Sequence, residues 1–193
     1  MKVQQKDGKT LYTLIIFSEN LAGILNQITN VFTRRQLNIE SLNVSASGTE
    51  NVHCYTITCF SDPETIQIVT RQIEKKIDVI QANYFTNPDI FIMESALYKI
   101  ATPKLLENKE ISKSIRLYDG KIVEVNPTYS IVSKEGLTDE IVALYQCLKD
   151  SGCLLQYVRS GAIAVTKSRT EELNEFLKQR QLDFEAQKNK NDI

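Results

Sequence analysis

Hydrophobic and polar positions in the first half of the chain switch repeatedly between the strand period and the helix period. A continuous apolar, β-branched run predicts a buried strand over residues 11–17. Apolar residues at helical spacing then predict a helix over residues 23–36. Alternating residues predict strands over 38–45 and 52–60, separated by a turn at residues 47–51.

A second helix is predicted to begin at Pro63, with Asp62 as its N-cap and an apolar side formed by Ile66, Val69, Ile73 and Ile77. A strand over residues 78–85 follows it. The order is therefore strand, helix, strand, strand, helix, strand. This order is typical of the ferredoxin-like βαββαβ arrangement, in which both helices cover one face of an antiparallel sheet.

The second half repeats this order, with a fifth strand at its end, after a turn-rich break at Thr86-Asn87-Pro88-Asp89. The predicted strands are 90–100, 121–125, 129–133, 154–158 and 162–165, and the predicted helices are 103–117 and 137–149. The last two strands lie on either side of Arg159-Ser160-Gly161. A further helix is predicted over residues 170–181.

These patterns predict an α+β fold made of two ferredoxin-like βαββαβ domains. The domains are residues 11–86 and 87–167, with an N-terminal extension at 1–10 and a charged C-terminal tail at 168–193. A sheet that helices cover on one side only leaves its other face or its edge to be buried elsewhere. Pairing of two copies edge to edge would remove two exposed edges, so a second copy of the chain is a plausible partner.

Charge and composition exclude several classes of partner. The 23 basic and 24 acidic residues nearly cancel, so nothing indicates nucleic acid or an anionic membrane as a partner. No long apolar run and no apolar leader occurs, which predicts a cytoplasmic protein without a transmembrane helix. The four cysteines, Cys54, Cys59, Cys147 and Cys153, have no CxxC spacing and are predicted to be free thiols, with no metal site.

Catalytic motifs are absent from the sequence. It contains no GxSxG, HExxH, P-loop or GxGxxG pattern, and its single histidine, His53, lies in a predicted strand as an exposed or edge residue. Glu19 and Glu40 flank the first helix region, but no nucleophile or metal is available between them. The sequence therefore predicts that the chain is not an enzyme.

The loop before the first predicted helix is the best candidate for a binding site. Gly23 stands at the helix start, where unpaired N–H groups favour a carboxylate or phosphate. Asn20 and Asn38 could add amide groups, and together these features suit a small zwitterion such as an amino acid. A purely structural interpretation is also open, in which Asn20 caps the helix and Gly23 only eases the turn.

Two stretches resemble a known family. The first is Glu19-Asn20-Leu21-Ala22-Gly23-Ile24-Leu25, followed by Phe32, Arg35 and Asn38-Ile39-Glu40-Ser41-Leu42. It resembles the ACT domain of the small, regulatory subunits of acetolactate synthase (acetohydroxyacid synthase). The second, Gly120-Lys121-Ile122-Val123-Glu124-Val125 with Arg159-Ser160-Gly161, is similar to the C-terminal domain of that family. The resemblance covers residues 11–166.

The resemblance implies a non-catalytic regulatory subunit of branched-chain amino acid (valine, leucine, isoleucine) biosynthesis. Such a subunit binds no cofactor itself. Its partner is the large catalytic subunit of acetolactate synthase, which carries thiamine diphosphate, magnesium and FAD. The small subunit raises the activity of that partner and confers feedback inhibition by valine, which sits between two ACT domains of a homodimer.

The resemblance also implies the residues that would hold valine. One chain would contribute Asn20, Leu21, Ala22, Gly23, Ile24 and Leu25, and the other would contribute Asn38 and Ile39. Leu21 stands where a polar residue is common, and residues 102–109 and the tail beyond Lys167 depart from the family pattern. The alternative is a stand-alone ACT-type module that senses an amino acid and regulates another enzyme.

Overall fold

Two antiparallel sheets, each with helices on one face, make up the part of the chain that this computed structural model describes, which is residues 4–168, 173, 177 and 178. In chain order the elements are β1 (Gln5–Lys6), β2 (Lys9–Glu19), α1 (Ile24–Arg34), β3 (Ser41–Ala46), β4 (Val52–Ser61), α2 (Pro63–Glu74), β5 (Val79–Phe85), β6 (Ile90–Ala101), α3 (Thr102–Glu107), α4 (Lys109–Leu117), β7 (Lys121–Val125), β8 (Tyr129–Gly136), α5 (Thr138–Asp150), β9 (Leu154–Arg159) and β10 (Ile163–Thr166).

The first sheet has the strand order β5–β2–β4–β3, which is the ferredoxin-like order. The β2–β4 pairing is the longest in this sheet and runs from Thr10 opposite Ser61 to Glu19 opposite Val52. The short strand β1 pairs with the start of β2, so part of the predicted N-terminal extension belongs to the sheet. The predicted fold class is confirmed.

The helices α1 and α2 bury their apolar sides on one face of this sheet. The core contains Ile28 and Phe32 of α1 and Ile66 and Ile73 of α2, all at most 1% exposed. Ile77, predicted on the same side of α2, is instead 96% exposed. That prediction is wrong because α2 ends at Glu74, so the helical period no longer sets the direction of later side chains.

The second sheet has the order β9–β6–β8–β7, and β10 extends it along β6. β9 pairs with the second part of β6 and β10 with the first part, so the two strands form one edge interrupted at Ser160-Gly161. Gly161 has a φ of 81° at this interruption. The helices α3, α4 and α5 pack on one face of the sheet, around the buried Tyr98.

Two predicted boundaries differ in the structure, and a third prediction falls mostly on residues that the structure does not describe. The single helix predicted over 103–117 is two helices, because the Asn108 side chain accepts the Glu110 N–H at 2.9 Å and starts α4 anew. The strand predicted from residue 38 begins only at Ser41. The helix predicted over 170–181 lies mostly outside the described residues. Of its positions that are described, Leu173, Leu177 and Lys178 are helical.

The second half of the chain partly covers the outer face of the first sheet, the face opposite α1 and α2. Ile90 and Ile92 of β6 form a buried cluster with Ala162, against which Phe85 of β5 packs. The Ala162 N–H donates to Ser41 Oγ on β3 at 3.4 Å. The chain thus covers with its own residues part of the surface for which the sequence suggested a second copy, whereas β3 pairs only with β4 among the described residues.

The four cysteines are free thiols, and burial raises the pKa of Cys59 to about 12. Within the described residues, no helix is both long enough and apolar enough to span a membrane.

The N-cap of α2 is confirmed and leads to a pH prediction. Asp62 Oδ1 accepts the Thr65 N–H at 2.8 Å, and this bond holds the pKa of Asp62 below its ordinary value of 3.8. The stability that this bond adds is therefore present above pH 3.8 and is lost as the pH falls through the lower folded-state pKa.

Asp62→Ala should lower the melting temperature at pH 7 and remove this acid dependence, as measured by thermal melts from pH 7 down to pH 3. Asp62→Asn, which still caps without titrating, should keep the pH 7 value; a melting temperature as low as that of Asp62→Ala would contradict the assignment.

Candidate functional site

The candidate site begins where β2 ends and the chain turns into α1. The Glu19 N–H donates to the Asp78 carbonyl and the Asn20 N–H donates to the Asn51 carbonyl, both at 2.9 Å. These two bonds hold the start of the loop against the α2–β5 connection and the β3–β4 connection. The sequence analysis assigned no role to Asn51. Its position in a turn was nevertheless a signal, because asparagine tolerates the left-handed φ of 58° found there.

Gly23 is the N-cap residue of α1 and has a φ of 92°. Only glycine adopts this left-handed conformation without strain. A Cβ atom placed on Gly23 would meet nothing within 4 Å. The backbone here is thus open on its outer side, as expected for a loop that lets a ligand approach closely.

No side chain caps the N-terminus of α1, and its first turn carries no acidic residue. The interpretation in which Asn20 caps this helix is therefore wrong. The helix start keeps N–H groups and a partial positive charge that a carboxylate can satisfy. The arrangement is chemically suited to an anion of one or two oxygens.

The side chains around this helix start divide into two groups. Leu21 and Leu25 are 53% and 42% exposed, so their apolar surface is accessible next to Gly23. Ile24 is 1% exposed and belongs to the core, so it can offer only its backbone to a ligand. Ala22 is exposed but adds little surface.

Asn38 and Ile39 lie in the connection between α1 and β3, at the other end of the helix. The Leu37 N–H donates to the Phe32 carbonyl at 3.1 Å, which holds this connection against the last turn of α1. Asn38 is exposed, whereas Ile39 is half-buried against the core. With a rise of about 1.5 Å per residue, α1 separates Asn38 from the Gly23 loop by roughly 16 Å. One chain therefore does not bring the two predicted parts of the site together.

Other candidate groups do not assemble into a centre. Glu19 is exposed at the end of β2, and Glu40 is exposed just before β3, at the opposite end of the sheet. His53 is half-buried, with its ring 6.5 Å from that of Tyr55. Across the described residues, no three His, Cys, Asp or Glu side chains are grouped so that they could hold a metal ion.

Comparison with known proteins identifies the family. The family model of the acetohydroxyacid synthase (AHAS) small subunit-like ACT domain matches residues 14–81, and that of the small subunit of acetolactate synthase matches residues 93–168. The acetolactate synthase small subunit of Bacillus subtilis is 31% identical over 160 residues, which is 82% of this chain and 91% of the relative. This chain belongs to the family of acetolactate synthase small subunits.

Further relatives agree with this assignment. The probable acetolactate synthase small subunit of Methanothermobacter thermautotrophicus is 30% identical over 153 residues, which is 79% of this chain and 90% of the relative. The crystal structure of the small subunit from Thermotoga maritima has the same fold, with a TM-score of 0.73 at 22% identity, and the match covers 83% of this chain and 99% of that one.

Membership of the small-subunit family confirms that the first half is an ACT domain and implies a catalytic-subunit partner. The second family model runs through residues 102–109, the stretch that departs from the pattern seen in the sequence. A stand-alone ACT module is not favoured, because the second half also matches a small-subunit model.

Proposed function

We propose that this small subunit raises the activity of the acetolactate synthase catalytic subunit and makes it sensitive to feedback inhibition by valine. In this proposal the chain is non-catalytic and cytoplasmic, and thiamine diphosphate, magnesium and FAD belong to the catalytic subunit. The observation that carries the proposal is the uncapped start of α1 at Gly23, which is open to solvent and has no acidic residue in its first turn.

The chemistry of the loop matches the three parts of valine. N–H groups at the start of α1 suit the carboxylate. Amide oxygens of Asn20 and Asn38 suit the ammonium group. The exposed surfaces of Leu21 and Leu25 suit the isopropyl group, and their burial by the ligand would add to affinity.

The separation of Asn38 from the Gly23 loop supports a homodimer. α2 packs on β5, so α1 lies on the β3 side of the sheet, and β3 has no second strand partner among the described residues. A two-fold axis that pairs two β3 edges in antiparallel fashion brings opposite ends of the two sheets together. The Gly23 loop of one copy would then face Asn38 and Ile39 of the other, which completes the proposed site.

Valine binding at this interface would favour one arrangement of the dimer over another. A bound effector changes activity only through its difference in affinity for the two arrangements, typically about 1–3 kcal/mol. The arrangement that valine favours would support the catalytic subunit less well.

The decisive experiment measures pyruvate condensation by the matching catalytic subunit, with and without this chain and with added valine. A higher rate with the chain, reversed by valine, is the expected result. A higher rate that valine does not reverse would overturn the effector part of the proposal. No increase at all would overturn the regulatory role.

Asn38→Ala is expected to raise the valine concentration for half-maximal inhibition about tenfold, the effect of losing one hydrogen bond to a charged group. Activation in the absence of valine should not change, because Asn38 is exposed and outside the core. Asn30→Ala, an exposed position in the middle of α1, is the matched control and should not alter inhibition. Equal inhibition curves for the Asn38→Ala variant and the unmodified chain would remove Asn38 from the site.

A further inference from the structure

A cavity of about 540 Å³ lies between the outer face of the first sheet and the second half of the chain. Ile15, Phe17 and Cys54 contribute to it from β2 and β4, and Ala164 and Val165 from β10. Side chains alternate along a strand, so these sheet residues point away from α1 and α2, whereas Leu14 and Ile16 point into the core. The cavity thus continues the surface that Ile90, Ile92 and Ala162 cover further along the sheet.

The chain itself leads into this cavity. Ser168, the last residue of the continuous described region, and Leu173 both line it. Leu173 is helical and only 6% exposed. Leu177 is helical and half-buried, and the adjacent Lys178 is exposed. The two leucines are thus covered by the molecule, whereas the lysine is in contact with solvent.

We propose that the C-terminal segment, residues 169–193, docks on the outer face of the first sheet, with Leu173 as its anchor at the cavity. The sequence supports this occupant, because Leu173, Phe176 and Leu177 have the spacing that is typical of the apolar side of a helix. The family model for the second half ends at residue 168, so the docking segment lies outside the matched residues. It would protect an apolar sheet face that a second copy or a small apolar ligand could otherwise occupy.

Cys54 provides a direct measure of this docking. It lines the cavity and is half-buried, and Cys147 on α5 is half-buried and does not line it. The other two thiols, Cys59 and Cys153, are buried. Cys147→Ser therefore leaves Cys54 as the reporter, and Cys54→Ser leaves Cys147 as the matched control. The rate at which the remaining reporter thiol reacts with a disulfide reagent is measured for each of the two variants, both in the full chain and in a chain that lacks residues 169–193. Burial raises the pKa of the Cys54 thiol, so both are labelled at the same alkaline pH.

Removal of residues 169–193 is expected to speed the labelling of Cys54 about tenfold. This factor is the protection that is lost when the docked segment no longer has to open locally, at a free energy of about 1.4 kcal/mol. The labelling of Cys147 should stay the same. Leu173→Asp in the full chain should reproduce the effect on Cys54 without truncation, and Lys178→Asp should not.

Three results would overturn the proposal. One is an unchanged Cys54 rate in both the truncated chain and the Leu173→Asp variant. Another is an equal increase for Cys54 and Cys147, which would indicate general destabilisation. The third is protection of Cys54 that appears only at high protein concentration, which would make a second copy the occupant.

Discussion

Replacing Gly23 with aspartate is expected to weaken inhibition by valine strongly while the catalytic subunit is still activated. The new carboxylate would occupy the open space in front of the α1 start, where the proposed ligand carboxylate binds. Two like charges about 4 Å apart at a protein surface repel by about 4 kcal/mol, so the valine concentration for half-maximal inhibition should rise on the order of a hundredfold or more. The measurement is a valine titration of pyruvate condensation by the reconstituted complex.

Gly23→Ala separates charge from backbone strain. At a φ of 92°, alanine carries a backbone strain of about 1–2 kcal/mol, similar to that of aspartate, but it brings no carboxylate. Its inhibition curve should therefore shift much less than that of Gly23→Asp. If Gly23→Asp kept full sensitivity to valine, the helix start would not be the effector site. If both variants lost sensitivity equally, the backbone conformation would matter and the charge would not.

The order of elements could be predicted from the sequence because each element carries its own period. The strands of the first sheet are apolar or alternating, and α1 places Ile24, Ile28 and Phe32 at helical spacing, so local pattern and global fold agree. The predictions failed where an element ended inside an apolar pattern. Ile77 continued the period of α2 after the helix had stopped, and Asn108 divided a stretch whose periodicity looked continuous.

The candidate site was only half visible in the sequence. Gly23 and Asn20 could be found because a glycine at a helix start is a local signal. The anchoring of Asn20 by the carbonyl of Asn51 depends on the pairing of β2 with β4, which no local pattern specifies. The coverage of the outer sheet face by Ile90 and Ala162 likewise depends on how distant segments pack.

Phe32→Ala is expected to have the largest effect on stability. Phe32 is 1% exposed at the last turn of α1, and its carbonyl accepts the N–H groups of Arg35 and Leu37. Truncation of a buried phenylalanine to alanine costs about 3–5 kcal/mol, through lost burial and the cavity left behind. A domain whose free energy of unfolding is about 5–15 kcal/mol loses a large share of it. The expected result in urea denaturation is a lower midpoint with an unchanged slope.

This substitution also links the core to the site, since Phe32 supports the connection that carries Asn38. At temperatures where the variant remains folded, a higher valine concentration should be needed for inhibition, because the loosened end of α1 no longer holds Asn38 in place. Phe32→Leu is the control and should cost under about 1.5 kcal/mol, because most of the buried volume is kept. If Phe32→Ala were no more destabilising than Phe32→Leu, the end of α1 would not be packed as described. If inhibition stayed normal in a clearly destabilised Phe32→Ala variant, the position of Asn38 would not depend on this helix end.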